Sequence, residues 1–223
     1  MFILNTWYIA AWNKEITADK PFARRICDQP VVLFRDKQTG KVAALEDKCC
    51  HRGAPLSMGC VVEKGLECGY HGVVHDATGK AVFIPGQERI PPKAKVRAYP
   101  VVEKNEFVWI WMGDAELADP SKIIDYPFND DHKNWPHHQG FYHIKASYLL
   151  MVDNLMDLTH LGYVHTSTIG GNPMTHVNAD MDIRREEMGL SYTRWMMNSV
   201  PPPTYVAAVG FKGRVDRWQE FEF

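Results

Sequence analysis

Between positions 49 and 71 the chain repeats one pair of side chains, Cys49-x-His51 and, sixteen residues later, Cys68-x-x-His71. Each pair runs into a glycine, through Arg52-Gly53 in the first case and at Gly72 in the second. A residue without a Cβ there lets the backbone approach a bulky inorganic centre, so the spacing places two Cys-plus-His pairs on two separate turns. The halves align only if the ligand cysteine stands two residues before its histidine. Cys49 is then the candidate ligand, and its neighbour Cys50 is expected to pack as a small apolar group.

Two thiolates on one iron and two imidazoles on the other are the ligand set of a Rieske-type [2Fe–2S] cluster. The competing use of two Cys and two His is a structural zinc ion, although zinc modules usually pair Cys with Cys and His with His. The turns are followed by "RGAPLS" and "GVVHD", so no further cysteine is at hand to brace them by a disulfide. Cys60, between the turns, is expected in the core. With five cysteines, an odd number, and four of them within twenty residues, metal binding in a reducing compartment accounts for the count better than a disulfide framework does.

With 25 basic against 27 acidic residues spread along 223, the chain carries no basic stripe for nucleic acid and no polybasic patch for a membrane. The opening "MFILNTWYIAAWNKEI" is apolar and aromatic, but it lacks a positive leading segment and is interrupted by polar residues. It suits neither a signal peptide nor a spanning helix, and a cytoplasmic protein is expected.

"PVVLFRDKQTGKVAALED" (30–47) predicts a hairpin turning at Gln38-Thr39-Gly40, and "GVVHDATGKAVFI" (72–84) predicts another at Ala77-Thr78-Gly79. "AYPVVEKNEFVWIWMGD" (98–114) supplies a further pair of strands around Lys104-Asn105. Residues 5–114 are therefore expected to form an all-β domain, and the Asp-, Asn- and Pro-rich segment that follows leads into a second domain, residues 115–223. There "GFYHIKASY" (140–148) suits a strand, and "LLMVDNLMDLTHLGYVH" (149–165) has the chain's best helical spacing. "LSYTRWMM" (190–197) and "TYVAAVGF" (204–211) look like strands, and "DRWQEFEF" ends the chain as a strand in progress, which suggests that the natural protein continues.

Within the helical stretch Asn154, Asp157 and His160 recur every three positions and share one side of a regular helix. His165 lies five residues beyond His160, too far around for both rings to meet one ion, so the helix is expected to widen or break between them, at Gly162 or through a π-bulge. The chemistry this suggests is a mononuclear non-haem Fe(II) on His160, His165 and one carboxylate. Asp157 is expected to orient a ligand ring rather than bind the metal. Asp180, Asp182 and Asp216 have no recommending context, which puts the third ligand beyond Phe223.

The combination "CCHRGAPLSMG…CGYHG" followed by "DNLMDLTHLGYVH" resembles the oxygenase component of Rieske non-haem iron oxygenases, most of all the vanillate demethylase, dicamba demethylase and toluenesulfonate methyl-monooxygenase group. The resemblance implies an α+β protein with an N-terminal all-β Rieske domain and a helix-grip catalytic domain, a curved antiparallel sheet around a helix, here truncated at its C-terminus. It implies a homotrimer in which an aspartate matching Asp157 links His71 of one subunit to His160 of the next. The expected reaction is monooxygenation of a methyl or methoxy group on a small aromatic substrate with O₂, ring dioxygenation being the other outcome of the same two centres. Electrons would come from a separate NAD(P)H-dependent reductase, with or without a ferredoxin, since no G-x-G-x-x-G loop is present. The rival reading is a Rieske ferredoxin that only carries electrons, which would have no use for His160 and His165. Trp195, Tyr192, Tyr205 and Met196 could line an aromatic pocket but are expected in the core, and Arg184, Arg185 or Arg194 could meet a substrate carboxylate or sulfonate.

Overall fold

The computed structural model describes residues 2–185 and 189–222, and Phe223 therefore lies outside the described residues. The chain divides into two compact units, residues 1–140 and 141–223.

The first unit is built from antiparallel sheets. Strands β1 (Thr6–Trp12), β2 (Phe22–Ile26), β3 (Gln29–Arg35) and β4 (Val42–Glu46) open it, followed by β5 (Cys60–Val62), β6 (Gly65–Glu67), β7 (Val74–His75) and β8 (Ala81–Phe83). Strands β9 (Ala98–Tyr99), β10 (Val101–Lys104) and β11 (Phe107–Met112) complete it. They pair in the orders β1-β11-β10, β2-β3-β4-β9 and β5-β6-β7-β8. All three expected hairpins form. In two of them an aspartate just ahead of the turn folds its carboxylate onto the turn backbone, where Asp36 accepts from Thr39 N–H (2.8 Å) and Asp76 from Thr78 N–H (2.9 Å), the local bond by which an aspartate two or three residues before Thr-Gly makes the chain turn. The third turns on Asn105 and Glu106, both at positive φ (50° and 64°), one residue later than expected.

Alternation along β3 sends Val32 and Phe34 to one side and Val31 and Leu33 to the other. The first pair joins Leu45, Leu56 and Leu66 in a core that includes both Cys49 and Cys68. The second joins Val108, Ile110 and Met112 in a core under β1 and β11. Ile110, fully buried there, is expected to cost about 2–5 kcal/mol when replaced by alanine, because a well-packed site collapses only partly around the lost methyls. Denaturant unfolding checks this, and a midpoint unchanged from wild type would contradict the core assignment.

The strands stop at Met112, yet the first unit extends past the expected boundary at 114 to Gly140. Polar contacts tie the intervening segment back: Trp7 donates to Asp119 C=O (2.9 Å), Asn105 to Asp130 (2.9 Å), and His132, His137 and Gln139 all converge on Glu106.

The second unit contains α1 (Tyr148–Met156), α2 (Leu161–Val164) and α3 (Pro173–Val177), then strand β12 (Asp180–Arg185), strand β13 (Leu190–Ser199), helix α4 (Pro203–Val209) and strand β14 (Val215–Glu222). The three strands form an antiparallel sheet in sequence order, in keeping with the α+β class. Two expected strands are absent. Residues 141–146 form no strand among the described residues, and Ser147 caps α1 by accepting from Leu149 N–H. Residues 204–211 are mostly helix α4, because Pro203 at the first helical position and Gly210 in the left-handed conformation (φ 76°) mark the start and stop of a helix around the helix-forming Ala207 and Ala208. Among the described residues no helix is long and apolar enough to cross a membrane.

Candidate metal centres

The two turns carrying the Cys/His pairs share one hydrogen-bond scheme. Cys49 N–H donates to Ala54 C=O (2.8 Å) and Gly53 N–H to Cys49 C=O (2.9 Å); Cys68 N–H donates to Val73 C=O (2.8 Å) and Gly72 N–H to Cys68 C=O (3.0 Å). Gly53 and Gly72 both lie at φ 71°, which a side chain rarely tolerates, so each glycine closes the turn four residues after its cysteine. The matched frame selects Cys49, not Cys50, as the partner of Cys68.

Cys49 and Cys68 are 3% and 2% exposed, whereas His51 and His71 lie on the surface with ring centroids 4.7 Å apart. Sulfur below and imidazole above is the arrangement a two-iron centre needs, since its irons take unlike ligand pairs. Burial pushes the Cys49 thiol up to about 11, opposed by the His51 backbone N–H and reinforced by the neighbouring Cys68. Such a thiol ionises only on meeting an electropositive centre. The imidazoles border a cleft of about 580 Å³ lined in part by Val73, Ile84, Pro85 and Pro91.

Cys50 and Cys60 are not in the core: both are exposed. Cys50 follows the buried Cys49 on a tight turn that points it outward, and Cys60 lies on the solvent side of β5. A residue the sequence reading passed over, His75, is buried beneath the first turn with Nε2 3.7 Å from Cys49 Sγ and 4.0 Å from Cys50 Sγ. Its Nδ1–H donates to Gly79 C=O (3.2 Å), and burial lowers its pKa, so it stays neutral. The available signal was a histidine in an otherwise apolar strand of the 72–84 hairpin.

In the second unit the helix breaks, but earlier than expected. Asp157 leaves helical geometry (φ −119°, ψ 95°), ends α1 and caps a 3₁₀ turn, Leu158–His160. The polar stripe Asn154–Asp157–His160 is therefore not continuous. His160 opens α2 and His165 closes it, and their ring centroids are 5.7 Å apart. Both rings are half-buried. The His160 Nδ1–H donates to the Asp157 backbone carbonyl (2.8 Å), leaving Nε2 bare as a metal donor. It is thus the main chain of Asp157 that orients the ring. Its carboxylate accepts from Thr159 Oγ1 (2.6 Å) and Thr159 N (3.0 Å), contacts that hold it below the usual carboxylate range.

Among the described residues no carboxylate joins both imidazoles in a three-ligand set. Asp182 pairs with Arg184 (2.9 Å) and Asp216 accepts from Asn198 N–H (2.6 Å). Asn154 is exposed on α1. Tyr192 and Met196 are buried as expected, while Trp195 and Tyr205 are exposed, Trp195 stacking on Trp218 across the outer face of the sheet (5.5 Å).

The first unit thus bears the pair of Cys/His turns, and the second, a sheet-and-helix unit, bears the histidine pair. Residues 6–100 match the Rieske [2Fe-2S] domain and residues 144–223 the vanillate O-demethylase oxygenase C-terminal domain. The chain thus carries a Rieske [2Fe-2S] domain followed by this C-terminal domain, and over its whole length it is similar to oxygenase components of Rieske non-haem iron oxygenases. It is 44% identical over 226 residues to the iron–sulfur subunit of the toluene-4-sulfonate monooxygenase system of Comamonas testosteroni, covering all of this chain and 64% of that one. It is 43% identical over 228 residues to the vanillate O-demethylase oxygenase subunit of a Pseudomonas strain, covering all of this chain and 63% of the relative. Dicamba monooxygenase with non-heme iron and dicamba superposes with a TM-score of 0.80 at 33% identity, over all of this chain and 63% of that structure. The chain thus spans somewhat under two thirds of the length of these relatives.

Proposed function

We propose that this chain is part of the oxygenase component of a Rieske monooxygenase that oxidises a methyl or methoxy group of a small aromatic compound. The observation that carries the reading is the pairing of His160 and His165 at the ends of one short helix, in a unit separate from the Cys/His turns. An electron carrier needs the turns alone.

In this reading Cys49 and Cys68 hold one iron of a [2Fe–2S] cluster and His51 and His71 the other. His160 and His165 hold the mononuclear iron, with the third ligand an aspartate outside the described residues. When bound, the cluster supplies single electrons and the mononuclear iron the activation of O₂ that oxidises a C–H bond. A hydroxylated methoxy carbon collapses to a phenol and formaldehyde, whereas a hydroxylated methyl group stays an alcohol.

The chain's own residues prepare these centres. The Asp157 carbonyl fixes the His160 tautomer, and Thr159 keeps the Asp157 carboxylate ionised at neutral pH, ready to accept a bond from an imidazole of another subunit. The resemblance to these oxygenases adds to this reading a homotrimer in which Asp157 links His160 to a neighbour's His71. Electrons enter from an NAD(P)H-dependent reductase, and a reducing, cytoplasmic setting suits the five unpaired cysteines.

Asp157→Asn tests the relay. Asparagine caps as well as aspartate and leaves the backbone bond to His160 in place, so both metal contents should persist. Reoxidation of the cluster on adding substrate and O₂ should slow roughly 10- to 100-fold, the usual effect of losing a group that positions a metal ligand. Unchanged single-turnover kinetics would remove Asp157 from the path. The reaction itself is checked by a substrate screen of the holoprotein with a surrogate reductase, scoring formaldehyde against alcohol; oxygen uptake without either product would refute demethylation and methyl hydroxylation together.

A further inference from the structure

The tip of the β10–β11 hairpin gathers a polar cluster that shares no residue with the Cys/His turns or with the His160–His165 pair. Glu106 turns that tip at φ 64°, and its carbonyl is held by Asn13 N–H (2.7 Å). Asn105 beside it is 8% exposed and pins the segment that follows the strands. Its Nδ2 donates to Asp130 (2.9 Å), its Oδ1 accepts from Tyr126 N–H (2.9 Å) and its carbonyl accepts from Asn129 Nδ2 (3.3 Å). Asp131 then curls the chain back, its carboxylate accepting from Asn134 Nδ2 (2.7 Å) and its carbonyl from Trp135 N–H (2.8 Å). Two imidazoles are thereby delivered to one carboxylate, with the His132 and His137 rings stacked at 4.9 Å and 17°.

His132 Nε2 stands 2.5 Å from Glu106 Oε1 and His137 Nε2 3.3 Å from Glu106 Oε2, and one donor atom from each of the three residues lies within 4.8 Å of the others. His137 carries the decisive detail. Its Nδ1 faces the Trp135 carbonyl (3.1 Å), which can only accept, so the single proton of the neutral ring is there. Its Nε2 then presents a lone pair to a carboxylate that also has only lone pairs. Two acceptors face each other at that contact unless a cation lies between them or the ring holds a second proton. Glu106 is ionised: burial pushes its carboxyl up, but bonds from His132, Gln139 and His137 outweigh this and hold it below the usual carboxylate range.

Two imidazole nitrogens and one carboxylate oxygen suit zinc, which takes such atoms at about 2.0–2.2 Å in a tetrahedron with water in the remaining position. Calcium and magnesium prefer oxygen alone, and on a nitrogen-rich set zinc outcompetes iron(II). The edges of that tetrahedron are about 3.4 Å, within reach of small side-chain rotations from the present spacing. The groups that usually stand behind metal ligands are also in place. The Trp135 carbonyl fixes the His137 tautomer, and Gln139 Nε2 donates to the Glu106 carboxylate (2.5 Å), while Gln139 Oε1 is buried with no hydrogen-bond partner. Glu106 and Gln139 border a cleft of about 350 Å³, which gives an ion access. Of the two basic side chains on that cleft, Arg35 is paired with Glu103 (2.9 Å) and Lys14 is exposed to solvent.

We propose that His132, His137 and Glu106 bind one zinc ion, which ties residues 127–139 to the β10–β11 hairpin. The inference is independent of the oxygenase reading, because none of the three residues belongs to the centres that reading uses.

Purified holoprotein, freed of loosely held metal with EDTA, is titrated with zinc against a chromogenic chelator, and zinc per chain is counted by mass spectrometry. Wild type should bind one zinc per chain that His132→Ala and His137→Ala lack or hold roughly 100-fold or more weakly, since even the groups behind a ligand are worth about 10- to 100-fold. Gln139→Leu should accordingly weaken it by roughly 10-fold. His138→Ala, beside the site but outside it, should bind zinc as wild type does. Zinc X-ray absorption of the wild type should show imidazoles among nitrogen and oxygen neighbours and no sulfur. A wild type that binds no zinc overturns the proposal whether or not the variants fold, and assigns the His137 contact to a second proton on the ring. So does zinc with sulfur neighbours alone, which places it on the Cys/His turns. Uptake that is the same in wild type, His132→Ala and His137→Ala also overturns it, since zinc at the His160–His165 pair would behave in that way.

Discussion

Cys68→Ser, and equally Cys49→Ser, should yield a protein without the visible absorption and the reduced-state EPR signal of a [2Fe–2S] cluster, while Cys50→Ser and Cys60→Ser keep both. The two sulfurs differ from their neighbours in place rather than in chemistry. Cys49 and Cys68 are buried at matched positions of two turns with one hydrogen-bond scheme, and Cys50 and Cys60 face solvent. The Cys49 thiol, pushed up to about 11 by burial, gives up its proton to a metal, and a serine hydroxyl, harder and far less acidic, replaces neither sulfur. The turns have no disulfide to brace them, so the substitution should also lower the thermal midpoint of the first unit. A colourless Cys50→Ser protein beside a red-brown Cys49→Ser protein would reverse the ligand assignment. A zinc site would show itself by stoichiometric zinc and no colour in the wild type.

His160→Ala should remove the non-cluster iron and reduce turnover to background, leaving the cluster spectrum intact. Its Nε2 is free because Nδ1–H is committed to the Asp157 carbonyl, and no other described side chain could replace it beside His165. The cluster should survive because the four candidate ligands belong to the other unit. The neighbouring Tyr163→Phe, on an exposed ring, controls for damage to the short helix. Retained non-cluster iron with normal turnover in His160→Ala would leave only the electron-carrier reading.

Much of the first unit was legible in the sequence because its determinants are local. Asp36-to-Gly40 and Asp76-to-Gly79 turn by bonds that span three or four residues, and period-2 burial along β3 follows from the pleat. The matched Cys/His turns were legible for the same reason, since each candidate pair fits on one turn. That the segment from 115 to 140 packs with the first unit was not legible, because its ties to Trp7, Asn105 and Glu106 bridge distant positions. In the second unit apolar β-branched residues suggested a strand at 204–211, where Pro203 and Gly210 decided for helix.

By itself the sequence determined which side chains could serve two metal centres and on which turns and helix they stand, because ligand type and spacing are properties of a short stretch of chain. Only the tertiary structure decided that Asp157 breaks the helix and holds His160 through its carbonyl, that Cys50 faces out while His75 lies under the sulfurs, and that Arg194 is buried while His132 and His137 converge on Glu106. Burial and partnership depend on what the rest of the chain brings alongside, and strands joined by a register such as Met196 with Arg217 meet only after folding.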